Sequence, residues 1–157
     1  MRSSTMVTMF GIAAVIAAIG VLFLSGPNES EEAKTPADFG RRLFRVQGCS
    51  SCHAIGGGIS RGPDLAAVIP RLRARLADSE YRKHLSILKK SREDIYALFT
   101  TEYDNVLKAQ GDERIRVWFA QHLNNPRFDH YLGQMPSFAH LTQQQVGFLT
   151  AFIFTLQ

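Results

Sequence analysis

The chain has 157 residues, of which 45% are hydrophobic, enough for one compact domain after any N-terminal membrane segment is set aside. Its formal charge of +4 and pI near 9.3 are moderately basic. No basic run interleaved with aromatic residues points to nucleic acid, and there is no internal repeat or long low-complexity tract.

Taken in order, the chain opens on an uncharged stretch between Arg2 and Glu29. Met6 to Leu24 is almost wholly apolar and matches the length of a single membrane-spanning helix. Arg2 precedes it and Glu29, Glu31 and Glu32 follow, so the positive-inside rule places the N-terminus in the cytoplasm and the remainder outside. A cleaved signal peptide is the rival reading. The long apolar run and the absence of a small-residue cleavage pattern at Leu24-Ser25-Gly26 favour an uncleaved anchor over 1–25. Residues 26–34 form a short polar linker.

Thr35-Pro36-Ala37-Asp38 predicts a helix start, with Thr35 as N-cap, proline in the first turn and a carboxylate three residues on. Phe39, Leu43 and Val46 recur on one face, with Phe44 beside them, and Gly48 allows the helix to end. Next comes Cys49-Ser50-Ser51-Cys52-His53, which contains the only two cysteines. Two cysteines three positions apart with a histidine directly behind form the attachment pattern of c-type haem. The thiols can each add to a haem vinyl group, and His53 can bind the iron. A thioredoxin-like dithiol requires a strand–helix setting, which the preceding helical period does not provide. A zinc site requires a further pair of ligands, and a disulfide leaves His53 unexplained.

Between Arg71 and Gln110 there is no glycine or proline, and leucines and isoleucines recur, so two or three helices are expected before a stop signal at Gly111. Charge is segregated along this stretch. Arg71, Arg73, Arg75, Arg82, Lys83, Lys89, Lys90 and Arg92 dominate the first half, while Asp94, Glu102, Asp104, Asp112 and Glu113 lie in the second. Either the two halves neutralise each other, or the asymmetry steers an acidic redox partner or anionic lipid. Trp118, Phe119 and Leu123 share a helical face that leads into Asn125-Pro126. Met135 is the only methionine beyond the anchor and precedes Pro136-Ser137-Phe138. Thr142 and Gln145 form a second capping box, followed by Val146, Leu149, Phe152, Ile153 and Leu156 at helical spacing.

The order of these pieces resembles the class I cytochromes c of the bacterial, membrane-anchored kind. Those pieces are a helix with Gly40 and Phe44, the Cys-x-x-Cys-His pentapeptide, Gly62-Pro63-Asp64-Leu65, Asn125-Pro126, Met135-Pro136 and a final apolar helix. The resemblance covers Thr35 to about Val68 and Trp118 to Gln157. It implies an all-α, cytochrome c-like haem-binding domain over 35–157; the stretch of about 71–112 departs from the family pattern and is expected as a helical insertion, which bears on the partner surface and not on the haem. It implies one covalently attached haem c, held through Cys49 and Cys52, with His53 and Met135 as the metal ligands. The carbonyl of Pro63 is then expected to orient His53. Trp118 and Arg127 become candidates for a haem propionate, with Tyr131 able to reach the same group, although Trp118 reads more readily as core. His122, His130 and His140, and more remotely His84, are the rivals to Met135. Gly40 is expected where the first helix crosses the last.

The implied function is single-electron transfer between redox proteins of a respiratory chain, without independent enzyme activity. The haem domain would sit on the periplasmic or outer side of the inner membrane, tethered by the N-terminal helix. The alternatives are a fixed haem subunit of a larger respiratory oxidase, reductase or cytochrome bc-type complex, and a haem-based gas or redox sensor.

Overall fold

In a computed structural model of the chain, residues 35–58 and 60–157 are described. The expected anchor and linker, 1–34, lie outside them. Among the described residues there are seven α-helices and no strand, and none of those helices is long and apolar enough to cross a membrane. The helices are α1 (Pro36–Val46), α2 (Val68–Arg75), α3 (Asp78–Ser91), α4 (Glu93–Leu98), α5 (Thr100–Lys108), α6 (Gly111–Asn124) and α7 (Gln143–Ile153).

Both expected capping boxes form. Thr35 Oγ1 accepts from Asp38 N at 3.2 Å while Asp38 Oδ2 accepts from Thr35 N at 3.0 Å. Thr142 and Gln145 make the same reciprocal pair at the start of α7. Each box satisfies backbone donors that a helix leaves open at its N-terminus, stabilising it by about 1 kcal/mol.

Helices α1 and α7 cross at Gly40. A Cβ placed there would lie 2.7 Å from Phe152 Cβ and closer still to the carbonyl oxygen of Phe148. Phe44, one turn on, meets Phe152 with ring centroids 5.5 Å apart, and Leu149, Phe152 and Ile153 are buried. The inner face of α1 therefore runs through Gly40 and Phe44. Phe39 and Val46, expected on that face, are 44% and 73% exposed. The face turns because backbone contact is possible only at the glycine, so Phe39 is carried to the rim, where it stacks on Phe148 at 5.1 Å.

The stretch between Leu65 and Trp118 holds four helices before α6, more than the two or three expected. The chain breaks at Ala77, Arg92, Phe99 and Ala109, none of them a glycine or proline. Gly111 ends no helix: it is the first residue of α6, at φ +54°. These helices are built into the core. Ile69, Leu72, Leu76, Tyr81, Leu85 and Leu88 are buried in one cluster with Phe44, Trp118 and Leu149.

Part of the segregated charge is paired. Arg73 meets Asp112 at 2.9 Å, Arg82 meets Asp78 at 2.7 Å and Arg92 meets Asp94 at 2.7 Å, all exposed. Arg92 holds Asp94 down to about 2, well below the usual carboxylate range. Exposed pairs of this kind contribute little to stability.

Two glycine substitutions separate packing from helix propensity. Gly40→Ala is expected to destabilise the fold by about 1–3 kcal/mol through overpacking. Gly147→Ala, whose Cβ would meet nothing within 4 Å, should be neutral or stabilising by up to about 1 kcal/mol. Denaturant midpoints of the two variants test the difference, and equal midpoints would contradict it.

Candidate functional site

The site begins where α1 ends. Gly48 adopts φ +73°, a left-handed conformation that glycine tolerates without strain, and turns the chain into a short 3₁₀ turn at Cys49–Ser51. Ser51 closes the turn, its Oγ donating to Gly48 O at 2.7 Å. His53 N and Cys52 N both donate to Cys49 O, at 2.9 and 3.2 Å. The two cysteines thus sit on one turn, partly buried and free of any disulfide. Burial pushes the Cys49 thiol up from its ordinary value, with Cys52 adding to the rise. Dithiol exchange requires the opposite, a thiolate stabilised near neutral pH.

The segment after the turn folds back upon it. Gly62 N donates to Cys52 O and Leu65 N to Ala54 O, each at 2.8 Å. This register brings the carbonyl oxygen of Pro63 to 2.9 Å from His53 Nδ1. A ring N–H on Nδ1 donates to that carbonyl, which leaves Nε2 as the nitrogen with a free lone pair. Gly62 lies against the same ring: a Cβ there would be 2.6 Å from His53 Cε1 and 2.8 Å from Nδ1. The imidazole is thereby fixed from its edge and from one side.

Asp64, which the sequence presents only as part of a motif, organises the glycine loop. Its carboxylate accepts from Gly56 N at 2.9 Å, Gly58 N at 2.7 Å and Ala66 N at 2.7 Å. These backbone donors hold its pKa below the usual carboxylate range. Arg71 donates to the carbonyls of Asp64 and Ala66. The positive φ at Gly56 and Gly58 lets their N–H groups converge on Asp64.

Met135 is partly buried and packs against the core. Its loop is pinned to the end of α6, with Phe138 N donating to Leu123 O at 2.8 Å and Ser137 Oγ to Asn124 O at 2.6 Å. Pro126, in the turn after α6, is buried. The structure thus ties the Met-Pro-Ser-Phe and Asn-Pro segments to one helix end.

Trp118 is 4% exposed and donates from Nε1 to Asp129 Oδ2 at 2.6 Å, so its N–H is directed to this carboxyl. Arg75 meets the same oxygen at 3.0 Å. Asp129 itself is 1% exposed, and its backbone carbonyl lies 3.0 Å from His84 Nε2. Arg127 is exposed, its backbone N–H donating to Asn125 Oδ1 at 3.3 Å, and Arg92 lies over the ring of Tyr131 at 4.9 Å. His140 Nε2 lies 3.1 Å from Gln47 Oε1, and His130 is exposed.

His122 is placed differently from these histidines. Its ring stacks on Trp118 at 4.6 Å and 14°, and Nδ1 is buried without a hydrogen-bond partner. Among the described residues only two other buried side-chain atoms lack a partner, Tyr81 Oη and Asp129 Oδ1. Burial lowers His122 to about 4, and the charges of Arg75, His53 and His130 act in the same direction, against the opposing pull of Asp129. Comparison of the chain with protein-family models, curated proteins and solved structures returned no match.

The His122 shift has a fixed sign. Between pH 4 and 6.5 the unfolded chain binds more protons at this group than the folded one. Stability contributed by neutral His122 is therefore present above pH 6.5 and lost as pH falls toward 4, by on the order of 2–3 kcal/mol. Denaturant unfolding at pH 7 and pH 4.5 should show a larger loss in the wild type than in His122→Phe. Equal losses would contradict the assignment.

Proposed function

We propose that this protein is a membrane-anchored class I cytochrome c that carries one electron at a time through a single covalently bound haem. The observation that carries the reading is the 2.9 Å contact between His53 Nδ1 and the Pro63 carbonyl. A histidine that serves as a metal ligand needs its second nitrogen held by an acceptor, and here a stiff proline carbonyl is brought to it by two backbone hydrogen bonds.

The other residues fit the same group. Cys49 and Cys52 lie on one turn, and each S–H can add across one vinyl C=C to form a thioether. Gly62 abuts the His53 ring, and any larger residue there would collide with the imidazole and displace it. Met135 stands in a loop fixed by Ser137 and Phe138, so its thioether can be offered from a constrained position.

When bound, haem iron supplies reversible one-electron storage. The chain's own residues set its conditions. His53, its ring orientation fixed by Pro63 and Gly62, would hold the iron, and Met135 would offer a soft, neutral sulfur that favours the ferrous form and raises the potential. With His53 and Met135 both holding the iron, no coordination site would be left for a substrate, which would make the protein a carrier. The apolar segment 6–24 tethers the domain to the outer face of the inner membrane, where respiratory redox proteins would be its donors and acceptors.

Absorption spectroscopy and a redox titration of the full-length protein test this. The expected result is a low-spin six-coordinate spectrum, a sulfur–iron charge-transfer band in the oxidised form, a positive potential and no reaction of the reduced form with carbon monoxide. A high-spin spectrum with rapid carbon monoxide binding would contradict the carrier assignment.

A further inference from the structure

Outside the Cys49–His53 motif the chain has four histidines, and three are accounted for. His84 is bonded to the Asp129 carbonyl, His140 lies against Gln47, and His130 is exposed. His122 alone has a buried ring nitrogen without a protein partner.

Its placement follows from two sets of contacts. It stands in the last turn of α6, next to Leu123 and Asn124, whose carbonyls receive Phe138 N and Ser137 Oγ at 2.8 and 2.6 Å. The segment that follows Met135 is therefore tied to the turn that carries His122. On the other side, Trp118 lies flat against the imidazole and is itself held by Asp129 at 2.6 Å. The ring is thus held in place, with one nitrogen left over, on the helix turn to which the segment after Met135 is tied.

Resting on the haem reading above, we propose that His122 is a resident alternative ligand, which takes the distal iron position whenever the Met135 sulfur is absent from it. The chemistry suits the exchange. The buried Nδ1 has no protein partner, so its lone pair is open to a metal, and imidazole nitrogen is a good ligand for iron. Removal of Met135, as in Met135→Ala, takes away the soft sulfur. His122 then keeps the iron six-coordinate and closed to small ligands, in a form of lower potential because an imidazole favours ferrous iron less than a thioether does. No electron is transferred in this exchange; one neutral donor replaces another.

The test compares full-length wild type, Met135→Ala, His122→Phe and Met135→Ala with His122→Phe. Intact mass is read first, to establish covalent haem in each. Met135→Ala is expected to lose the sulfur–iron band yet remain low-spin, with an electron paramagnetic resonance signature of two imidazoles and no carbon monoxide binding when reduced. The double variant is expected to become high-spin and to bind carbon monoxide. His122→Phe alone should keep the sulfur–iron band, which shows that the phenylalanine is accommodated.

High-spin iron in Met135→Ala with His122 present would overturn the proposal. So would low-spin iron that persists in the double variant, or loss of the sulfur–iron band in His122→Phe alone. A wild type without covalent haem would instead overturn the underlying haem reading, and the mass measurement separates that failure from the others.

Discussion

Helices α1 and α7 approach so closely at Gly40 that backbone and Phe152 Cβ fill the space a side chain would need. That contact fixes the position and roll of α1, and with it the point at which the chain leaves the helix. Gly48 follows two residues after Val46, and the 3₁₀ turn with both cysteines begins immediately beyond it. The geometry of the cysteine turn is therefore inherited from a helix crossing more than a hundred residues apart in sequence. Packing of Phe44 against Phe152, with Leu149 and Ile153 beneath, provides the apolar burial that holds the crossing shut.

A second constraint is the buried carboxyl of Asp129. It joins Arg75 from α2 to Trp118 from α6, while His84 from α3 meets its carbonyl and Tyr103 from α5 donates to the carbonyl of Phe128. Four helices thus converge on two consecutive residues. Removing either partner of such a buried contact leaves a polar group without compensation, which costs more than an exposed pair gains. The additional helices are accordingly part of the same core as the cysteine turn, and Asp129 also fixes the Trp118 ring on which His122 rests. Burial pushes the Tyr81 phenol well above its ordinary value, and the nearby Asp129 pushes the same way, so that side chain stays neutral.

Local chemistry was legible in the sequence wherever the signal and its effect lie within a few residues. Thr35 with Asp38, Thr142 with Gln145, and Gly48 before the cysteines all act over one turn, and each takes the expected conformation. The resemblance placed Pro63 beside His53 and Gly40 at a helix crossing, and both contacts are present. Other features were not legible because their cause is distant. Asp129 looks like an ordinary loop aspartate, and only the arrival of Trp118 and Arg75, eleven and fifty-four residues earlier, gives its buried carboxyl partners. The breaks at Ala77, Arg92 and Phe99 carry no glycine or proline, since they are set by the packing of Tyr81, Leu88 and Tyr103 into one cluster. Phe39 and Val46 follow a helical period yet face outward, because the crossing at Gly40 sets the roll of α1. The role of Asp64 depends on three backbone donors that converge only once the glycine loop is folded.

The most direct measurement is tandem mass spectrometry of the proteolytic peptide that contains Cys49 and Cys52, isolated from protein produced with its own export and haem-attachment machinery. The account predicts one haem on that peptide, linked through both sulfurs, with no disulfide and no free thiol. Free thiols, a disulfide or a bound zinc ion in their place would contradict it.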